Sequence, residues 1–125
     1  DSVEPVGVIL GLSSMAGLGA APKAATYAAA KHAIVGLTRT AAFEYARDNV
    51  RVNAICPFFT MTEMLTEIGS SSGIDDINAF LGRGTPMRRV GRPEEIVNVM
   101  LMMISPGNTF MNGQAIAVDG GSSAI

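Results

Sequence analysis

The sequence predicts an α/β fold organised around a parallel sheet. Three short apolar runs, at residues 6–12, 50–55 and 115–118, have the length and composition of buried strands. Longer segments with helical periodicity separate them, and Pro93 followed by two glutamates marks the start of one helix. Strands joined by helices pair in parallel, because the crossover returns the chain to the same end of the sheet.

The elements of the first half can be assigned in order. The first strand, residues 6–12, is apolar throughout and is expected to be covered on both faces. A long helix over residues 26–47 follows, and its predicted apolar face carries Ala30, Ile34, Leu37, Ala41 and Tyr45. The second strand covers residues 50–55 and ends with Cys56 and Pro57.

Shorter helices are predicted in the second half. Residues 61–81 favour helical pieces that separate at residues 69–73, where two glycines flank three serines and indicate a flexible hinge. The helix that opens at Pro93 extends to about residue 104, and residues 115–118 form the last strand. The Asp-Gly-Gly sequence after it is typical of a turn.

Composition argues against several classes of function. Hydrophobic residues make up 48% of the chain and charged residues 16%, with a net charge of −2, as expected where helices are buried against a sheet or a partner. No basic stripe favours nucleic acid, and no apolar run reaches the roughly 18 residues of a membrane span. No signal-like segment is present, so we expect a cytoplasmic protein without nucleic-acid or membrane partners. The single cysteine, Cys56, excludes an internal disulfide, and no cluster of Cys and His suggests a metal site.

Three residues form the candidate catalytic group: Ser14, Tyr27 and Lys31. Ser14 follows the first strand, and Tyr27 and Lys31 lie one turn apart on the long helix. A tyrosine hydroxyl can exchange a proton with a reacting oxygen, and a lysine ammonium at i+4 stabilises the phenolate and lowers its pKa. A serine hydroxyl can hold the same substrate oxygen. Because such i, i+4 pairs are common on solvated helices, the assignment depends on the sequence around them.

The surrounding motifs make the chain similar to the short-chain dehydrogenase/reductase family. A strand ending in Ser13-Ser14, the Tyr-x-x-x-Lys helix and the Arg-Val-Asn-Ala-Ile strand at residues 51–55 occur in the family's order. Segments 57–64, 91–96 and 113–121 are also similar, so the resemblance extends over essentially the whole chain. It implies a doubly wound, Rossmann-like parallel sheet, NAD or NADP as cofactor, and catalytic roles for Ser14, Tyr27 and Lys31. Ser13 is interpreted as a turn residue at the strand end.

In the family, a Pro-Gly-x-x-x-Thr segment binds the nicotinamide carboxamide. Pro57 and Thr62 match that pattern and Thr60 lies between them, so the resemblance implies that these three residues bind the cofactor together with Tyr27 and Lys31. Phe58 departs from the pattern, since the family usually has glycine there. Glycine permits unusual dihedral angles and close approach to a ligand, so Phe58 either reshapes the nicotinamide pocket or weakens cofactor binding.

The resemblance also implies which parts of the family's domain this chain represents. In the family, the glycine-rich turn, the residue that selects the ribose and the asparagine of the catalytic tetrad precede the strand that corresponds to residues 6–12. We therefore expect residues 1–125 to be the C-terminal part, roughly the second half, of a single dinucleotide-binding and catalytic domain, and to be inactive alone. The choice between NAD and NADP stays open.

Residues 63–89 correspond to the family's variable substrate lid. Their apolar side chains favour an apolar or alicyclic alcohol or ketone as the small-molecule substrate. Arg88, Arg89 and Arg92 suit either an anionic substrate or structural salt bridges. By resemblance, the long helix and the apolar run at residues 97–104 are expected to form a homodimer or homotetramer.

Two functions are consistent with these patterns. The leading one is an NAD(P)-dependent oxidoreductase that interconverts a secondary alcohol and a ketone, with Tyr27 as acid and base and Ser14 positioning the substrate oxygen. The alternative is a non-catalytic relative of the dinucleotide fold, acting as an oligomerisation or binding module.

Overall fold

A computed structural model describes residues 3–124 and confirms the predicted α/β fold. Its elements, in chain order, are β1 (Gly7–Leu12), a 3-10 turn (Met15–Gly17), α1 (Ala25–Glu44), a second 3-10 turn (Ala46–Asp48), β2 (Val50–Pro57), α2 (Glu63–Ser71), α3 (Ile77–Gly82), α4 (Pro93–Ile104) and β3 (Ala115–Val118). The last helix and the last strand have the predicted bounds. The second strand runs two residues further than predicted, through Pro57.

The three strands form one parallel sheet in the order β1-β2-β3. Leu12 lies opposite Ile55, and Pro57 lies opposite Val118. The carboxyl ends of all three strands therefore lie along one edge of the sheet, which is where open parallel sheets bind their ligands. The residues that follow β1 and β2 are thus brought to the same side of the molecule.

The core is centred on β2, whose residues 51–56 are all buried. Helices α1 and α4 both pack against β1 and β2. Arg51 is buried, and its guanidinium donates hydrogen bonds to the carbonyls of Met103, Ser105 and Met111 at 2.9, 3.4 and 3.0 Å. Burial lowers the pKa of Arg51. Two of these carbonyls, those of Met103 and Ser105, lie at the carboxyl-terminal end of α4. The positive guanidinium there complements the negative end of the helix dipole.

The prediction that β1 is covered on both faces is wrong. Ile9 is 56% exposed and Leu12 54% exposed. The reason is topological: β1 is an edge strand of the described sheet, with β2 alone beside it.

The predicted face of the long helix also differs from the structure. Leu37 and Tyr45 are exposed, and the residues of α1 that are buried are Val35, Thr38 and Ala42. Gly11 of β1 sets this face, since a Cβ there would lie 2.9 Å from Ile34 and 3.2 Å from the Thr38 hydroxyl. The helix ends at Glu44, before the second 3-10 turn, and Asn49 follows in the left-handed region with φ 58°.

The predicted hinge at residues 69–73 is wrong at its first three residues, which are helical. Helix α2 runs unbroken through Gly69 to Ser71. Gly69 is buried, and a Cβ there would lie 2.9 Å from the Cβ of Ile77 on α3. This glycine therefore permits close packing of α2 on α3, and the chain turns later, at Gly73, where φ is 69°.

Candidate active site

Ser14 lies at the carboxyl end of β1, where it caps the 3-10 turn that follows. Its Oγ accepts a hydrogen bond from the Ala16 amide at 3.1 Å, and its backbone is extended (φ −163°, ψ 168°). Serine is favoured at this position because its side chain satisfies an amide that has no partner in the first turn. The bond uses a lone pair of the oxygen, so the O–H proton of Ser14 can still be donated.

Tyr27 and Lys31 lie on one face of α1, beside the end of β1. The Lys31 ammonium is 5.5 Å from the centre of the Tyr27 ring, a cation–π distance, and it donates a hydrogen bond to the Leu12 carbonyl at 3.1 Å. Tyr27 is 50% exposed, so its ring is reachable from outside the chain. Lys31 thus lies between the candidate acid–base residue and the strand end that carries Ser14.

Ser13 makes a contact that the sequence interpretation did not include. Its side chain is buried, and its hydroxyl donates a hydrogen bond to the Lys31 carbonyl at 2.9 Å. Gly17 closes the same region, because a Cβ there would lie 2.2 Å from the Ser13 Oγ and 2.8 Å from the Lys31 carbonyl oxygen. A glycine four residues after Ser13 was the signal in the sequence for this close approach.

The predicted cofactor residues follow β2. Pro57 ends the strand, and Thr60 pairs with Gly91 in an isolated parallel bridge. In that bridge the Gly91 amide donates to the Phe59 carbonyl at 2.9 Å, and the Met61 amide donates to the Gly91 carbonyl at 2.8 Å. Thr62 caps α2, with its Oγ1 accepting from the Leu65 amide at 3.3 Å. Residues 57–62 therefore form a loop fixed at both ends.

Phe58 occupies the position of the family's glycine without backbone strain. Among residues 3–124, the non-glycine residues with positive φ are Lys23, Asn49 and Arg88, so Phe58 needs no left-handed conformation. Its ring meets Phe59 edge-on, with 4.9 Å between the ring centres. Gly84 leaves it room, since a Cβ there would lie 3.2 Å from the Phe58 ring. Both rings line a cavity of about 130 Å³.

Arg89 is committed to an ion pair rather than open to a substrate. It binds Glu95 through two parallel bonds, Nη1 to Oε2 at 2.8 Å and Nη2 to Oε1 at 2.7 Å. The Arg89 guanidinium, and next the Arg92 backbone amide that also donates to Glu95, lower the pKa of Glu95 to about 2. The pair joins the end of segment 63–89 to the start of α4.

Two other titratable residues, Cys56 and His32, make contacts typical of structural residues. Cys56 is fully buried, as expected for a small strand residue. Burial raises the pKa of its thiol, and the neighbouring Ser13 and Ser14 partly offset that rise. His32 is exposed, with its Nδ1 2.9 Å from the Ala28 carbonyl oxygen one turn earlier.

A parallel sheet with a Tyr-x-x-x-Lys helix packed beside a serine-bearing strand end defines a class: α/β proteins of the dinucleotide-binding type. The sequence profile described as "Enoyl-(Acyl carrier protein) reductase" matches residues 2–123. The chain belongs to the short-chain dehydrogenase/reductase family.

Individual relatives agree with this assignment. The chain is 39% identical over 117 residues to "Short-chain dehydrogenase anuF" of Penicillium roqueforti (94% of this chain, 42% of that protein). It is 41% identical over 120 residues to "2-(S)-hydroxypropyl-CoM dehydrogenase 3" of Xanthobacter autotrophicus (95% and 47%). Among solved structures, "ElxO with NADP Bound" superposes with a TM-score of 0.88 at 28% identity, covering 94% of this chain and 47% of that one. The chain thus spans about half the length of the relatives it matches.

Within residues 3–124, the structure contains neither a membrane-spanning helix nor a cluster of metal ligands. None of the helices there combines the length and apolar character needed to cross a membrane. In the same residues, no group of three or more His, Cys, Asp or Glu side chains is arranged to hold a metal ion.

Proposed function

We propose that the protein carrying this chain is an NAD(P)-dependent oxidoreductase that interconverts a secondary alcohol and a ketone. The observation that carries the proposal is the position of Lys31, whose ammonium lies 5.5 Å from the Tyr27 ring and 3.1 Å from the carbonyl of Leu12, two residues before Ser14. Relatives support the reaction class. The name of the Xanthobacter protein specifies a 2-hydroxypropyl group, which is a secondary alcohol, and the ElxO structure contains NADP.

Each of the three residues has a separate task. In alcohol oxidation, Tyr27 as the phenolate takes the hydroxyl proton, and in ketone reduction its phenol returns that proton. The Lys31 ammonium, close to the ring, stabilises the phenolate by its charge. Ser14 donates its O–H to the substrate oxygen and so aligns the proton path. When bound, the nicotinamide accepts or supplies the hydride.

The loop at residues 57–62 fits a nicotinamide carboxamide. The bridge to Gly91 uses the Phe59 carbonyl and the Met61 amide, and neither polar backbone group of Thr60. Because polar groups alternate sides along an extended chain, the N–H and C=O of Thr60 face away from Gly91. The carbonyl oxygen of a primary carboxamide accepts a hydrogen bond, and its NH₂ group donates. The N–H and C=O of Thr60 supply one partner for each, and the Thr62 hydroxyl follows two residues later. We assign Pro57, Thr60, Thr62, Tyr27 and Lys31 to the cofactor.

Residues 63–89 are proposed as the substrate lid of a domain whose C-terminal part is residues 1–125. Helices α2 and α3 pack on each other, and Met64, Phe80 and Met87 are exposed on this segment. Apolar side chains reachable from solvent support an apolar or alicyclic substrate.

A homodimer or homotetramer is proposed from the outer surfaces of α1 and α4. Leu37 and Phe43 on α1 are 70% and 88% exposed, and Leu101 on α4 is 57% exposed. Exposed apolar side chains in such numbers mark interaction surfaces. Light scattering of the purified protein should give twice or four times the monomer mass, and a stable monomer at micromolar concentration would contradict this assignment.

The test of the catalytic proposal is Tyr27→Phe in the full-length protein, with Tyr45→Phe as control. Removing the Tyr27 hydroxyl should lower kcat by about 10²–10⁴-fold, the usual contribution of acid–base catalysis. Tyr45 is an exposed tyrosine at the other end of α1, so its variant should keep normal turnover. Turnover of Tyr27→Phe within threefold of the wild type, with either cofactor, would show that the assigned role is wrong.

A further inference from the structure

Ser13 connects three elements at the edge of the sheet that carries the catalytic group. Its amide donates to the Ile55 carbonyl of β2 at 2.9 Å, which holds the end of β1 against its neighbouring strand. Its hydroxyl donates to the Lys31 carbonyl of α1 at 2.9 Å. The residue is 6% exposed, so its hydroxyl is enclosed by the protein and faces no substrate.

The Ser13 hydroxyl is tightly packed by its neighbours. A Cβ at Gly17 would lie 2.2 Å from the Ser13 Oγ and 2.8 Å from the Lys31 carbonyl oxygen, so the 3-10 turn after Ser14 touches α1 directly. Cys56, fully buried on β2, lies on the strand beside Ser13. The side chain of Ser13 therefore has little freedom to move, and its hydrogen bond to Lys31 joins the end of β1 to α1 at this point.

Lys31 is held to the end of β1 at two points. Its ammonium donates to the Leu12 carbonyl, and its carbonyl accepts from Ser13. The carbonyl also accepts the ordinary helical bond from the amide four residues on, so the Ser13 bond is additional. Since helix α1 carries Tyr27 and Lys31 while the end of β1 carries Ser14, the Ser13 bond is one of the two that hold the halves of the catalytic group together.

We propose that Ser13 is a positioning residue for the reaction, acting through Lys31 to hold the Tyr27–Lys31 helix against the Ser14 turn. The proposal rests on the function proposed above. Misplacement of a catalytic group by about 1 Å can cost 10²-fold in rate. We therefore expect Ser13→Ala to lower kcat by about 10–100-fold and to raise KM for the nicotinamide cofactor by a smaller factor, since Tyr27 and Lys31 are also assigned to the cofactor.

A double-mutant cycle with Tyr27→Phe separates positioning from folding. If Ser13 acts by placing the Tyr27–Lys31 pair, Ser13→Ala should cost little in a protein that already lacks the Tyr27 hydroxyl, because residues acting as a unit are not additive. A general loss of folded protein would lower kcat by the same factor in both backgrounds. Ser105→Ala is the matched control, since it removes a serine hydroxyl bonded to a backbone amide at the far end of α4.

The measurements are kcat and KM with NAD and NADP, and the melting temperature of each variant. Ser13→Cys keeps a side chain of similar shape with a weaker donor, and the same cycle with it, under reducing conditions because Cys56 lies beside it, applies if Ser13→Ala does not fold. The proposal is overturned if the Ser13 variant keeps kcat within threefold of the wild type, or loses the same factor with and without Tyr27. Neither result contradicts the acid–base role proposed for Tyr27. An active Tyr27→Phe variant, in contrast, would contradict that role itself.

Discussion

Replacing Arg51 with leucine should lower the free energy of unfolding by about 2–4 kcal/mol. The guanidinium supplies bonds of 2.9 and 3.0 Å to the Met103 and Met111 carbonyls and a longer one of 3.4 Å to Ser105. Hydrogen bonds to a charged group contribute about 1.5–3 kcal/mol each. Part of this loss is offset, because leucine removes the cost of burying a cation.

The partners that remain limit the loss further. Asn53 still donates to the Met111 carbonyl at 2.9 Å, so that oxygen keeps a bond. At the end of α4, the Ser105 carbonyl keeps the Asn108 amide at 3.0 Å. The Met103 carbonyl keeps only the longer bond from Asn108 Nδ2 at 3.4 Å, so the main loss is its 2.9 Å bond from the guanidinium. Arg51→Lys should lie between the wild type and Arg51→Leu, since one ammonium cannot replace the two-armed guanidinium.

Urea denaturation followed by circular dichroism measures this difference, with Arg47→Leu as the control. Arg47 is exposed on the second 3-10 turn, and its replacement should change stability by less than about 0.5 kcal/mol. An unchanged slope with denaturant would show that the difference reports stability rather than a change in the unfolded state. A loss below 1 kcal/mol for Arg51→Leu would refute the argument that its bonds hold the end of α4 to β2.

Two further predictions concern segment 63–89, the proposed lid, and its junction with α4. The pKa of Glu95 is lowered to about 2 by Arg89, so the pair stabilises the fold fully above the unfolded pKa of about 4.5 and loses that effect as the pH falls towards 2. The difference in melting temperature between the wild type and Glu95→Gln should be constant above pH 5 and shrink below pH 4.5, and a pH-independent difference would contradict the pairing. Gly69→Ala should destabilise by about 1–3 kcal/mol, because its Cβ would lie 2.9 Å from Ile77. The control is Gly36→Ala, at an exposed position where a Cβ meets nothing within 4 Å. A Gly69→Ala variant that melts at the temperature of the wild type would disprove the packing role.

Local signals in the sequence were sufficient for the order of elements. Pro93 with its two glutamates located α4, and the short apolar runs located the three strands, because these signals depend on neighbours along the chain. The face of α1 was wrong because Gly11, far away in sequence, determines where the helix approaches the sheet. Exposure of Ile9 and Leu12 likewise depends on which strand lies beside β1.

The site was predictable only where its residues are neighbours along the chain. Tyr27 and Lys31 share a helix face, so their proximity follows from helical spacing. The contact between Ser13 and Lys31 joins residues 18 positions apart, and the pairing of Arg51 with Met111 spans 60 positions. No local pattern encodes such contacts, since they arise only when the sheet edge and the helices are assembled.

The bridge between Thr60 and Gly91 brings the two ends of segment 61–90 side by side. Within the segment, Gly69 packs on Ile77, and Gly82 packs on the backbone of Arg88 and Arg89, so α2 and α3 are joined to each other and to the returning chain. A segment whose ends adjoin can be exchanged without altering the sheet that supports it. Residues 61–90, the proposed lid, thus have the form of a cassette. With Arg89 kept for its pair with Glu95, a relative's segment could be grafted between Thr60 and Gly91 to test whether substrate preference moves with it, while Ser14, Tyr27 and Lys31 keep their places.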